Sequence, residues 1–224
     1  MILAVVGCAG GVGCSTLAYE LAAALEAVAV DGDPGVPGLP AGRGPDLHDA
    51  LAGHAAPHEA VCGGPVDLLP CGRSLAGARA ADETRLADAV RRAVRDRDAV
   101  LDCPTRRPES ALAAADAALV VTTPAHSTRV VRRTCRRVRP HAGLVAVVRN
   151  RADAAGSPAP ARPHGDRTDP GDPTGLPTHD VPNDPHLAAA IPAERPVVTT
   201  HPETDAAAAV RTLADAVERC RATV

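Results

Sequence analysis

The sequence predicts an α/β fold with three layers, in which a mostly parallel sheet lies between two layers of helices. Short apolar runs alternate along the chain with longer segments of helical periodicity, a pattern typical of successive βαβ units. A length of 224 residues fits one domain. Because the chain has no Phe, no Trp and one Tyr, we expect Ala, Val and Leu to fill the core.

The strands are predicted from apolar runs that stop at turn-forming or acidic residues. Residues 2–6 precede a glycine-rich segment, and residues 28–31 end in an aspartate. Residues 99–102 also end in an acid, with a proline shortly after. The other predicted strands are residues 66–69, 118–122, 143–148 and a short one at 197–198.

Helices are predicted where apolar residues recur three and four positions apart. In the segment 15–26, Leu17, Leu21 and Leu25 share one face. In the segment 82–97 the inward residues are Leu86, Ala89, Val90 and Ala93. The remaining predicted helices are residues 46–53, 108–116, 127–138, 185–190 and 203–220, and residues 32–45 are predicted to be a loop.

The regular pattern breaks between residues 151 and 180. Six prolines fall in this segment, together with many Gly and Asp residues, and such a composition buries too little apolar surface to order a chain. We therefore predict a core of residues 1–150, a flexible insertion of residues 151–180, and a C-terminal part of the same domain in residues 181–224.

Composition also limits the location and the partners. The net charge of −3 favours neither strong nucleic-acid binding nor an acidic tail. Seven cysteines without a C-x-x-C pair indicate neither a disulfide framework nor a zinc site, so we expect a cytoplasmic protein. No run approaches the roughly 18 apolar residues of a membrane helix, and the start of the chain lacks the basic region of a signal peptide.

A glycine-rich loop after the first strand indicates a phosphate site. Residues 7–16 read G-C-A-G-G-V-G-C-S-T, which fits the phosphate-loop pattern G-x-x-x-x-G-K-[ST] except that Cys8 replaces its first glycine and Cys14 stands in the lysine position. Glycines let backbone N–H groups turn toward an anion, and the helix that follows adds a partial positive charge. The chain has no lysine at all, since its 24 basic residues are all arginine.

Aspartates follow two other predicted strands. Asp31 and Asp33 end the second strand, and Asp102 ends the strand 99–102. In parallel sheets such ends face the ligand crevice, so these acids are candidates to hold Mg²⁺ or to orient an attacking water.

The order and spacing of these motifs resemble the MinD/ParA branch of phosphate-loop ATPases. That family's loop reads K-G-G-V-G-K-[ST]-T, and residues 9–16 match it apart from both lysines. Asp31-Gly32-Asp33-Pro34 is similar to its first switch, D-x-D-P. Further similar segments are Leu68-Leu69-Pro70-Cys71-Gly72, Leu101-Asp102-Cys103-Pro104, residues 115–124 (A-D-A-A-L-V-V-T-T-P), Val147-Val148-Arg149-Asn150-Arg151 and Val181-Pro182-Asn183-Asp184. The similarity runs from about residue 2 to 220 and is poor at 35–64 and in the proline-rich segment.

The resemblance implies a P-loop NTPase fold and a site for ATP and Mg²⁺. The residues it implies for nucleotide binding are Gly10, Gly11, Val12, Gly13, Cys14, Ser15, Thr16 and Asn150, of which Asn150 meets the adenine. Ser15, Asp33 and Asp102 are implied as metal-site residues, and Asp33 also as the catalytic residue. The family's function implies spatial organisation, as chromosome partitioning or division-site positioning, and a dimer of this chain or one with an intact relative.

The missing lysines leave three functions open. The first is an ATP-binding protein with weak or lost hydrolysis, because Ala9 and Cys14 stand where the family has its two lysines. The second is an active ATPase that uses a partner residue or an arginine such as Arg106 or Arg107. The third is an adaptor protein that binds no nucleotide.

Two surface helices suggest DNA and a membrane as further partners, but an ordinary structural role explains each helix better. The segment from Arg129 to Arg139 carries six arginines, which suits DNA phosphates, yet a solvated helix face is the better interpretation. The last predicted helix has only a small apolar face, so we expect no stable membrane anchor.

Overall fold

The computed structural model describes residues 1–152 and 174–222, and it confirms the three-layer α/β fold around a parallel sheet. Seven strands form one sheet in the order β3-β2-β4-β1-β5-β6-β7, and each neighbouring pair is parallel. The strands are β1 (Ile2–Gly7), β2 (Val28–Asp31), β3 (Leu68–Leu69), β4 (Ala99–Asp102), β5 (Ala117–Thr122), β6 (Gly143–Asn150) and β7 (Thr178–Val181).

Nine helices of the described residues cover the two faces of the sheet. They are α1 (Cys14–Ala24), α2 (Leu47–Ala52), α3 (Leu75–Ala80), α4 (Leu86–Ala93), α5 (Glu109–Leu112), α6 (Thr128–Val138), α7 (Pro185–Ala193), α8 (Val197–Thr200) and α9 (Asp205–Arg221). Two short 3₁₀ turns, Pro57–Ala60 and Glu83–Arg85, lie between them. Among the described residues, no helix combines the length and apolarity needed to cross a membrane.

Alternate residues of each strand point into two separate apolar cores. In β1, Leu3 and Val5 face the core beneath α1, α7, α8 and α9, whereas Ala4 and Val6 face the one beneath α2, α4, α5 and α6. The cores consist largely of Val, Leu and Ala, as the composition predicts, with Tyr19 fully buried in the first.

The prediction of a strand at Val197-Val198 was wrong, because these residues begin helix α8. Two β-branched residues favour a strand by local propensity alone. Here the carboxylate of Glu20, a fully buried residue of α1, accepts hydrogen bonds from the N–H groups of Val197 (2.8 Å) and Val198 (3.1 Å). This tertiary contact satisfies the first amides of a helix and overrides the propensity.

The prediction of a flexible insertion was wrong for residues 178–180. Strand β7 begins at Thr178 and pairs with β6. Its Asp180 accepts two hydrogen bonds from Arg149 of β6, at 2.7 and 2.6 Å, which ties the two strands side by side. Residues 153–173 lie outside the described part of the chain, so the division into 1–150, 151–180 and 181–224 stays a prediction.

Several helices differ in length from their predictions. Residues 82–97 form a 3₁₀ turn capped by Asp82 and then the shorter helix α4. Residues 108–116 give only the four-residue α5. Helix α3 was not predicted, and none of its residues is buried, so it has no apolar face for a periodicity argument to find.

Candidate functional site

The glycine-rich loop joins the end of β1 to the start of α1. Two of its glycines have left-handed backbones, Gly11 with φ 76° and Gly13 with φ 96°. Gly13 is also the residue that precedes the first turn of α1, where no side chain caps the helix and no acidic residue stands. The loop thus needs glycine at both positions, and it presents an uncapped helix N-terminus.

The amides of this loop are open to a ligand. The backbone N–H groups of residues 10–13 donate no hydrogen bond to any residue that the structure describes. Clustered, unpaired N–H groups next to a helix N-terminus attract an anion such as a phosphate. The phosphate site at this loop stays a prediction.

The thiol of Cys14 occupies part of the space inside the loop. A Cβ placed on Gly7 would lie 2.8 Å from the Sγ atom of Cys14, so the side chain turns back toward the end of β1. Burial, and then the negative charge of Asp102, raises the pKa of this thiol well above its usual range. Cys14 is therefore a neutral, poorly nucleophilic side chain that brings no positive charge to the loop.

Asn150, at the end of β6, holds the loop from its other side. Its Nδ2 donates to the carbonyl oxygen of Val12 (2.8 Å), and its Oδ1 accepts from the N–H of Arg151 (2.9 Å). A side chain at Gly13 would collide with the same Nδ2. Both ends of this buried amide are thus bonded to the protein, and its predicted contact with adenine stays a prediction.

Two aspartates stand side by side at the ends of β2 and β4. Asp31 and Asp102 are partners in the parallel register, and both are buried. Burial raises the pKa of Asp31 to about 6, although hydrogen bonds from three backbone N–H groups oppose the rise. Burial raises the pKa of Asp102 to about 7, against the opposing effect of a hydrogen bond with Ser15. Ser15 and Asp102, two of the predicted metal-site residues, are thereby brought together.

The loop that follows Asp31 lies against this pair. Asp31 Oδ2 accepts hydrogen bonds from the N–H groups of Gly38 (2.9 Å) and Leu39 (3.0 Å). A Cβ on Gly38 would lie 2.9 Å from an oxygen of Asp102 and would collide with the Ser15 hydroxyl. Only glycine allows this close approach, so the loop backbone packs directly on the Ser15–Asp102 pair.

Asp33, the predicted catalytic residue, is half-buried at the start of the same loop. Its Oδ1 accepts from the N–H groups of Gly35 (3.1 Å) and Val36 (3.0 Å), which closes a tight turn. It is close enough to affect both buried carboxyls, since its negative charge raises the pKa of Asp31 and of Asp102. Three carboxyl groups therefore share the edge of the sheet beside the glycine-rich loop.

Among the described residues, none of the arginines that the sequence analysis singled out forms a hydrogen bond or ion pair with the glycine-rich loop. Arg106 and Arg107 are exposed and form no hydrogen bond or ion pair with the described residues. The arginines of α6 and its end are all exposed; Arg137 pairs with Glu109 (2.7 Å), and Arg139 donates to the Thr174 carbonyl. DNA binding by this helix stays a prediction.

Sequence reasoning missed two residues that shape the site, Gly38 and His48, and the role of a third, Asp31. Asp31 was noted in the D-G-D motif, but its role in holding the next loop depends on a contact seven residues away. Gly38 resembles any loop glycine in the sequence. His48, in the first turn of α2, carried no motif, yet it is buried and its Nε2 bonds the carbonyl oxygen of Pro34 at 2.8 Å.

The fold matches that of solved MinD and ParA-family structures and of a cobyrinic acid a,c-diamide synthase along nearly the whole length of the chain. The cell division ATPase MinD of Pyrococcus furiosus shares 24% identity with a TM-score of 0.84, covering 98% of each chain. The septum site-determining protein MinD of Pyrococcus horikoshii OT3, in complex with Mg-ADP, shares 23% with a TM-score of 0.82, covering 98% of this chain and 96% of that one. The cobyrinic acid a,c-diamide synthase of Mycobacterium smegmatis, with a bound ATP analog and magnesium, shares 21% with a TM-score of 0.65, covering 97% and 94%.

At these identities the similarity establishes the fold alone. No protein-family model matches the sequence. No curated protein matches it significantly.

Proposed function

We propose that this chain binds ATP with Mg²⁺, has weak or lost ATPase activity, and acts in the spatial organisation of cell components or in its regulation. Division-site positioning is the setting that the neighbouring folds suggest, since they include a cell division ATPase and a septum site-determining protein. Chromosome partitioning is the other setting that the sequence resemblance implies. The cargo follows from neither the fold nor the site.

The glycine-rich loop is the observation that carries the proposal. Two left-handed glycines, amides without a partner among the described residues and an uncapped helix N-terminus support an anion site in this loop, although its lysine is absent. Immediately beside it lies the Ser15–Asp102 pair, and a hydroxyl beside carboxylates is the kind of oxygen donor set that Mg²⁺ prefers. The residues present therefore fit both the phosphates and the metal.

Each predicted residue has a distinct part in this proposal. Backbone N–H groups of Gly10, Gly11, Val12 and Gly13 cradle the phosphates, and Thr16 contacts an inner one. Ser15 holds the metal, and Asp33 and Asp102 hold its waters. Bound Mg²⁺ would offset phosphate charge that no side chain of the loop neutralises. Asn150 supports the loop, and its proposed contact is with the adenine.

Weak hydrolysis follows from the neutral Cys14. A charge-assisted hydrogen bond contributes about 1.5–3 kcal/mol, so without the lysine we expect ATP affinity to fall roughly 10- to 150-fold. Hydrolysis should fall further, because charge on the transferring phosphoryl group needs stabilisation in the transition state. An active enzyme would require Arg106, Arg107 or a partner residue to supply that charge.

A dimer is the proposed assembly, formed by two copies of this chain or with an intact relative. Aquifex aeolicus MinD has been solved in complex with MinC, which shows that a neighbour of this fold binds a second protein. By the resemblance, an intact relative would supply the lysine that Ala9 replaces, because that lysine reaches across the dimer to the partner's ATP.

Titration calorimetry with millimolar ATP-Mg²⁺ tests the proposal. We expect saturable heat that disappears in Gly13→Val, whose side chain would collide with Asn150, and that persists in Gly63→Val, at an exposed glycine outside the site. No saturable heat with the unmodified chain would exclude nucleotide binding and favour an adaptor protein. Steady-state phosphate release above the Gly13→Val background would show an active ATPase.

A further inference from the structure

We propose that His48 is a positioning residue for Asp33, acting through the carbonyl oxygen of Pro34. This inference rests on the proposed function, because His48 matters for catalysis only if Asp33 is the catalytic residue. The contact itself is a property of the fold, and it is testable without any nucleotide.

The direction of the hydrogen bond fixes the form of the imidazole ring. A carbonyl oxygen only accepts, so the Nε2 atom that lies 2.8 Å from Pro34 must carry the hydrogen. In the neutral ring Nδ1 is then an acceptor, and it is buried without a partner among the described residues. The bond to Pro34 is thus what the polar ring contributes at this position.

Two glycines pack closely against the imidazole ring of His48. A Cβ on Gly72 would lie 2.9 Å from His48 Nδ1, and one on Gly77 would lie 3.1 Å from it. Larger residues at these positions would push the ring away from Pro34. The imidazole therefore packs between the segment after β3 and the loop that follows β2.

Hydrogen bonds fix both elements that the contact joins, helix α2 and the turn after Asp33. Helix α2 is fixed at its start by Asp46, which caps His48 and Asp49, and by the N–H of Leu47, which donates to Pro70 (2.9 Å). Pro34 follows Asp33 directly, inside the turn that the Asp33 carboxylate closes. His48 thus links an anchored helix to the turn that sets the direction of Asp33.

The test compares two neutral replacements of the ring. His48→Gln places its side-chain amide near the original Nε2 and keeps a donor for Pro34, whereas His48→Asn places it near Nδ1 and loses that donor. His54→Asn, at an exposed histidine just after α2, is the matched control. We expect amide hydrogen exchange at Gly35 and Val36, whose N–H groups donate to Asp33, to be about tenfold faster in His48→Asn, with His48→Gln restoring slow exchange and His54→Asn without effect.

Equal exchange in His48→Asn and His48→Gln would overturn the inference. A second measurement needs no variant: the ¹⁵N shifts of the ring should show hydrogen on Nε2 and none on Nδ1, and the opposite tautomer would also overturn it. Where phosphate release is measurable, His48→Asn should lower kcat and leave KM for ATP nearly unchanged. Absent nucleotide binding would contradict the proposed function, and the exchange and ¹⁵N results would still decide the role of His48.

Discussion

The side-chain amide of Asn150 donates a hydrogen bond to the carbonyl oxygen of Val12, 2.8 Å away, across 138 residues of sequence. This contact joins the end of β6 to the glycine-rich loop and fixes the loop curve before any ligand arrives. In a chain without lysine, the loop depends on such neutral contacts for its shape.

Replacing Asn150 with Asp should therefore destabilise the fold. The carboxylate would face the Val12 carbonyl oxygen without a hydrogen to donate, at an expected cost of about 1–3 kcal/mol in the free energy of unfolding. Urea denaturation measures the change. Asn183→Asp, at the exposed asparagine after β7, is the control and should change stability little. Equal stability of the two variants would show that the Val12 contact is not needed.

The loss of stability on replacing each loop glycine with Ala should depend on the glycine's φ angle and on the space around an added Cβ. Gly10 has neither a left-handed backbone nor a neighbour within 4 Å of an added Cβ, so Gly10→Ala should be nearly neutral. Gly11→Ala should cost about 1–2 kcal/mol for its left-handed φ alone. Gly13→Ala should cost more, because its Cβ would also collide with Asn150. Unfolding in urea gives the order, and a Gly10 variant as unstable as the Gly13 variant would contradict it.

The stability of the ligand-free chain should fall as pH rises from about 4 to 7. Folding raises the pKa of Asp31 to about 6 and of Asp102 to about 7, from a reference value of 3.8. The unfolded chain therefore loses these protons first, and the stability that the protonated carboxyls contribute is lost as pH rises through the folded-state values.

Asp102→Asn isolates the larger of these two effects. At pH 8 this variant should melt at least about 3 °C above the unmodified chain, since 1 kcal/mol corresponds to roughly 2–4 °C at this length. At pH 4 the two should melt together. Asp215→Asn, at an exposed aspartate of α9, is the control. A melting temperature of Asp102→Asn that stays below that of the unmodified chain at pH 8 would contradict the buried, uncompensated charge.

Restoring lysine to the loop should raise ATP affinity. Cys14→Lys together with Ala9→Lys adds the charges that the resemblance expects, and a new charge-assisted bond of about 1.5–3 kcal/mol corresponds to a 10- to 150-fold gain. Calorimetry measures the affinity, and Cys220→Lys, at the exposed end of α9, controls for added charge. An affinity that rises no more than in this control would show that the loop is not arranged around phosphates.

Local patterns predicted most of the elements, and the two failures depend on tertiary contacts. Strands such as 99–102 were found because a buried parallel strand is a continuous apolar run. Val197 and Val198 follow the same propensity, but the buried Glu20 of α1 caps them as a helix. The short strand at 178–181 was hidden by proline-rich sequence, and its pairing depends on Arg149.

The sequence by itself determined the three-layer fold, the glycine loop and the absence of lysine from it, because these depend on residue type and spacing along the chain. Only the tertiary structure decided that Asp31 holds the loop over Ser15 and Asp102, that Asn150 binds Val12, and that His48 holds Pro34. These contacts join residues that are distant in sequence or lie in irregular loops, where no periodicity exists to reveal which side chains meet.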